Sequence, residues 1–108
     1  MIYNKLVRDK IPEIIEKQGK TVSFRVLQGG DLIKALKDKL VEETQELINA
    51  QTRAEIIQEM ADVLEVLKVM RRLYDFSMYT AEMVQAEKEF NRGSFMKGYF
   101  LESVGDEK

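Results

Sequence analysis

Two long helix-period segments separated by only a few residues constrain this chain more than any other feature. Asp31 can cap a helix running to about Ala50, and Thr52-Arg53-Ala54-Glu55 is a capping-box pattern that starts another, running to about Tyr74. So short a link forces the two helices to lie antiparallel as neighbours. Leu36, Leu40 and Leu47 recur along one face of the first, and Ile56, Val63, Leu67 and Met70 form the corresponding row of the second. The expected fold class is therefore all-α, an antiparallel bundle of about four helices built around this hairpin, with a minor short β element.

The remaining elements follow from local signals. Pro12 sits in the first turn of a short helix, where its missing N–H does no harm. Asp9 is its expected N-cap; Ile11, Ile14 and Ile15 give it an apolar face, and Gly19 marks its end. From Thr21 to Val26 the pattern alternates, with Val22, Phe24 and Val26 on one side, which predicts a short strand before the Gly29-Gly30 turn. A fourth helix is expected from about Met78 to Asn91, broken by Gly93 and Gly98, and Tyr99-Phe100-Leu101 reads as a second short strand. A lone strand is unstable in water, so residues 21–26 need a partner, either residues 99–103 or a strand of another subunit.

Each long helix places a glutamate in the middle of its apolar seam. Stepping from Leu40 towards Leu47 lands on Glu43, and the same stepping in the second helix lands on Glu59; Glu46 and Asp62 lie three residues further on, so each pair shares a face. Asp62 also begins a second apolar row through Val66, Val69 and Leu73. Both pairs lie about 10 Å from the turn at ~1.5 Å per residue, so antiparallel packing sets them at one level, with Glu42 beside them. Two like charges 4–5 Å apart repel by roughly 3–4 kcal/mol at an effective dielectric of 20. Protonation, or pairing with Lys39 or Arg53, would relieve some of this. A divalent cation is the more economical answer, since it takes several oxygens and reverses the local field. A solvated acidic face is the ordinary meaning of either motif alone; two pairs interrupting two seams at one height favour the metal.

Composition narrows the chemistry. With no cysteine and no histidine in 108 residues, there is no thiolate, no imidazole base and no soft metal ligand, so any metal is held by oxygen: Mg²⁺, with Mn²⁺ possible, or Ca²⁺. The acids lie on helices, not in a 12-residue calcium loop, and the Glu-x-x-His of di-iron bundles is missing. With 44% hydrophobic and 33% charged residues the chain is expected to form one domain, residues 1–108, whose small core favours self-association. Its 17 basic and 19 acidic side chains argue against an electrostatic duplex-DNA binder. No apolar stretch approaches the roughly 18–20 residues that span a bilayer, and Met1-Ile2-Tyr3-Asn4-Lys5 lacks a signal-peptide core. The expectation is a cytoplasmic protein with neither nucleic acid nor membrane as partner.

A Mg²⁺ cluster of carboxylates suits phosphate chemistry, and the remaining phosphates would need cations. Lys5, Arg8 and Lys10 near the N-terminus, and Lys88, Arg92 and Lys97 near the C-terminus, are the candidates. Arg92-Gly93-Ser94 could present backbone N–H groups to an anion. Tyr3, Phe95 and Tyr99 could stack on a base, although core packing is the more ordinary role for each. No Walker A sequence or dinucleotide glycine fingerprint is present.

Glu42-Glu43-Thr44-Gln45-Glu46-Leu47 and Glu59-Met60-Ala61-Asp62-Val63-Leu64 together resemble the paired metal motif of the MazG-like all-α nucleoside-triphosphate pyrophosphohydrolases. Tyr3-Asn4-Lys5-Leu6-Val7-Arg8-Asp9-Lys10-Ile11-Pro12 is similar to the opening of a small phosphoribosyl-ATP pyrophosphohydrolase-like subgroup. Lys88-Glu89-Phe90-Asn91-Arg92-Gly93-Ser94-Phe95 resembles its ending, where a second glycine is expected in place of Ser94. The resemblance covers nearly the whole chain. It implies Mg²⁺-dependent hydrolysis between the α- and β-phosphates of a nucleoside triphosphate, with Glu43, Glu46, Glu59 and Asp62 as metal ligands. Glu42 carries over as a further ligand or water-orienting base, and a homodimer or dimer of dimers is implied. Related members act on phosphoribosyl-ATP, dUTP or non-standard nucleotides, so the resemblance leaves open house-cleaning or histidine synthesis. A non-catalytic helical oligomerisation or regulatory module is the alternative outside enzymes.

Overall fold

The computed structural model describes residues 2–106. Among them are four helices, α1 (Ile11–Lys17), α2 (Gly29–Asn49), α3 (Arg53–Leu73) and α4 (Met78–Arg92). They fall into two compact units, one ending at Asp75 and one beginning at Phe76.

In the first unit α2 and α3 pack against each other as an antiparallel hairpin. Ala50, Gln51 and Thr52 make the whole connection. Thr52 is the N-cap of α3, its Oγ1 accepting from the Glu55 N–H at 3.1 Å. The Glu55 carboxylate accepts from the Thr52 hydroxyl in turn, at 2.9 Å. This is a capping box in which the glutamate braces the cap side chain instead of the cap backbone.

The core is thin. Leu36 of α2 and Val66 of α3 are its buried apolar side chains, and Glu43 is buried between the same helices. On α2 the expected row holds, with Leu40 and Leu47 half-buried beside Leu36. On α3 the inward face draws on both expected rows: Val66 is buried and Val63, Val69 and Met70 are half-buried, whereas Ile56, Leu67 and Leu73 are exposed. α3 is apolar on two opposite sides, so periodicity alone leaves its inward face undecided. The outward stripe, Ile57, Met60, Leu64 and Leu67, follows a three-four spacing and is exposed along its length.

Two expected caps are corrected. Asp9 does not cap α1: the N-cap is Lys10, without a side-chain bond, and the turn closed by the Ile11 N–H on the Arg8 carbonyl leaves Asp9 one residue before the cap position. Asp31 does not precede α2, which starts at Gly29 with Gln28 as N-cap. Asp31 lies in the first turn, where its charge meets the positive end of the helix dipole. Gly19, beyond the end of α1, takes φ 82°, a conformation that L side chains rarely adopt.

The expected β element is absent among the described residues. Residues 21–26 and 99–103 are not in strands, and Phe24, Val26, Tyr99, Phe100 and Leu101 are exposed. Alternation shows which side chains share a face; a strand also needs a hydrogen-bonding neighbour, and neither segment has one.

The second unit is α4 with the extended segment after it. Ser77 caps α4 through the Thr80 N–H, and the helix closes at Gly93, whose φ is 82°. No helix among the described residues is long and apolar enough to cross a membrane.

Candidate metal centre

Glu43 and Glu46 stand three residues apart on α2, Glu59 and Asp62 three apart on α3, and the short connection sets the two pairs level. Each residue offers one carboxylate oxygen, and these four atoms all lie within 4.8 Å of one another. Glu43 is buried, Glu59 and Asp62 are half-buried and Glu46 is exposed, so the cluster reaches from the helix–helix seam to the surface. The Oε2 atoms of Glu43 and Glu59 are buried and have no hydrogen-bond partner. A buried acceptor without a partner costs about 1–3 kcal/mol, more when charged. Loss of water around Glu43, reinforced by the neighbouring Glu46 carboxylate, holds its carboxyl above the ordinary range in spite of Lys39.

The donor set fits a hard dication. Oxygens on opposite sides of one Mg²⁺ or Ca²⁺ lie about 4–5 Å apart, and these four atoms all fall within 4.8 Å of one another. All are carboxylate oxygens, and two of the four residues carry an oxygen that nothing in the protein satisfies.

Three cations border the cluster. Lys39, only 17% exposed, lies 3.3 Å from Glu43 Oε1 and 3.4 Å from Glu42 Oε2. Lys5 Nζ is 3.1 Å from Glu42 Oε1, and Arg8 Nη2 donates to Asp62 Oδ1 at 2.7 Å. Desolvation would raise the Glu42 carboxyl, but Lys5 and Lys39 outweigh it and hold it below the ordinary range. Glu42 thus stands beside the four with both its oxygens engaged by lysines. The hydrogen bond to Glu42 raises Lys5 in turn. A small hollow of about 80 Å³ lies here, lined by Asn4, Lys5, Asp38, Lys39 and Glu42 among others.

Of the residues singled out in sequence, the structure therefore gathers Glu42, Glu43, Glu46, Glu59, Asp62, Lys5 and Arg8. Lys39 joins them as the counter-ion, a role visible in its spacing of three and four residues from Glu42 and Glu43. Arg53 makes no ion pair among the described residues, and neither does exposed Lys10, at the start of α1. Lys88 and Arg92 lie four residues apart on α4, in the second unit, both exposed. The Gly93 N–H beside Arg92 donates to the Glu89 carbonyl at 2.8 Å, so that amide is not presented to an anion. Tyr3, Phe95 and Tyr99 are all exposed, which corrects the expectation of core packing. The Lys5 ammonium lies 5.9 Å from the Tyr3 ring centre, and Lys97 sits likewise over Tyr99.

No family model matches this sequence, and no solved structure matches it. A curated relative, an uncharacterized protein of Mycolicibacterium smegmatis, is 48% identical over 48 residues, which is 44% of this chain and 49% of that protein. The match thus spans about half the length of the relative.

Proposed function

We propose that this chain is a Mg²⁺-dependent nucleotide pyrophosphohydrolase of MazG-like type. It hydrolyses a nucleoside triphosphate between the α- and β-phosphates to a monophosphate and pyrophosphate, as house-cleaning of non-standard nucleotides. The observation that carries the reading is the cluster of four carboxylates on one helical hairpin, two of them with buried oxygens that lack a partner. The resemblance of both acidic motifs and the N-terminal segment to that superfamily supports it.

Glu43, Glu46, Glu59 and Asp62 would hold the metal, Mg²⁺ or alternatively Mn²⁺. When bound, the ion would neutralise phosphate charge and lower the pKa of a water. Glu42, held ionised by two lysines, is a poor proton acceptor; a role in orienting water would need one of its oxygens to leave its lysine. Lys5 and Arg8, which pair with Glu42 and Asp62 at the cluster's rim, would bind phosphate oxygens, with Lys10 nearby in sequence. Lys88 and Arg92 share a face of α4 and are the remaining phosphate candidates.

Self-association belongs to this reading, as a homodimer or dimer of dimers. Its support is the stripe of Ile57, Met60, Leu64 and Leu67 on α3, which turns away from the carboxylates and is exposed. A soluble helix with apolar residues on opposite sides is ordinarily covered on both. A panel of nucleoside triphosphates, phosphoribosyl-ATP included, incubated with Mg²⁺ and read by pyrophosphate release, tests the assignment. Turnover of phosphoribosyl-ATP alone would move the enzyme to histidine synthesis. No release from any substrate would favour a non-catalytic helical oligomerisation module.

A further inference from the structure

We propose that the segment around Lys5 and Arg8 is an internal counter-ion strap for the carboxylate cluster, with Arg8 occupying Asp62 until a metal ion replaces it. The proposal rests on the metal reading above and concerns how that same site is regulated. Two cationic side chains of one short segment reach across 37 and 54 residues of sequence to two different helices. Lys5 lies on Glu42 of α2 at 3.1 Å and Arg8 on Asp62 of α3 at 2.7 Å. Asn4, at φ 45°, bends the chain immediately before Lys5, a left-handed conformation that asparagine tolerates better than most residues.

The Arg8 guanidinium cannot shed its proton, so its positive charge stays wherever the side chain sits. A dication held by the same cluster would lie within a few ångströms of it and repel it. The contact is built to give way. Arg8 and Asp62 are 57% and 38% exposed, so Arg8 regains water readily when it leaves, whereas Lys39 is enclosed between its two glutamates. Released from Asp62, Arg8 would face solvent at the rim of a filled metal site, with its donors open to an oxyanion. The same residue therefore serves as counter-ion before metal and as anion ligand after it, which orders the binding of the two.

The test uses Mn²⁺ alone, titrated by calorimetry into the wild type, Arg8→Gln and Lys10→Gln, with amide hydrogen exchange of residues 3–9 followed before and after. Lys10→Gln removes one positive charge from the same segment without touching an ion pair. The expected result is Mn²⁺ bound about three- to fivefold more tightly by Arg8→Gln than by Lys10→Gln, the range of a half-exposed ion pair, with faster exchange in the wild-type segment once Mn²⁺ is bound. Binding by Arg8→Gln alone would be the extreme of that result. Equal affinities with unchanged exchange would overturn the strap and leave the metal site standing. Binding by neither the wild type nor Arg8→Gln would overturn both.

Discussion

Glu43 holds the sharpest electrostatic conflict in the hairpin. Its side chain is 10% exposed, one oxygen faces Lys39 and the other meets no donor. Its pKa is raised in the folded chain, so without metal the folded state keeps a proton that the unfolded state gives up. The stability tied to this group is full below the ordinary glutamate value of 4.5 and is lost as pH rises through the higher folded value. Glu42, shifted the other way, contributes in the opposite sense, so only a comparison isolates Glu43. Urea unfolding of metal-free wild type and Glu43→Gln across that window should show the wild type losing stability relative to the variant as pH rises. For activity, Glu43→Gln and Asp62→Asn should each abolish pyrophosphate release while circular dichroism shows retained helices. Wild-type turnover by either variant would remove that residue from the site. Arg92→Ala should raise KM for the nucleotide and leave Mn²⁺ affinity unchanged; equal losses in both would count against its phosphate role.

The hairpin is set by one three-residue connection and one cap. Thr52→Ala should cost about 1 kcal/mol, read from urea denaturation, because the Glu55 N–H loses its acceptor and the Glu55 carboxylate loses its brace. Both long helices, their antiparallel pairing and the level placement of the two acidic pairs were readable from heptad-like spacing and the capping box. The inward face of α3 was readable in part: Val63, Val66, Val69 and Met70 of the two expected rows lie inward, while Ile56, Leu67 and Leu73 do not, because a sequence does not fix how far each row turns from α2. The strand expected at residues 21–26 failed for a related reason: alternation is local, and pairing is not. The ion pairs from Lys5 to Glu42 and from Arg8 to Asp62 join residues far apart in the chain, where no spacing rule reaches. Lys39 lay within reach of such a rule, one helical turn from both its partners.

Two buried apolar side chains among the described residues are a small core beside so many exposed apolar ones, and association would cover the α3 stripe. Met60→Glu combined with Leu64→Glu should shift sedimentation to a smaller species at micromolar concentration while the α2–α3 hairpin keeps its helicity; an unchanged species would place the interface elsewhere. Everything functional turns on whether the carboxylates of that hairpin hold a dication. A ligand that binds only the folded state stabilises it by about 2.7 kcal/mol at a hundredfold excess over its dissociation constant. Thermal unfolding of the wild type and of a Glu59→Gln, Asp62→Asn double variant, with Mg²⁺ and Mn²⁺ titrated into each, reads that coupling. The wild-type Tm should climb with metal until the rise becomes logarithmic, and the variant's should stay flat; a flat wild type, or the same climb in both, would mean that these four acids are not a metal site.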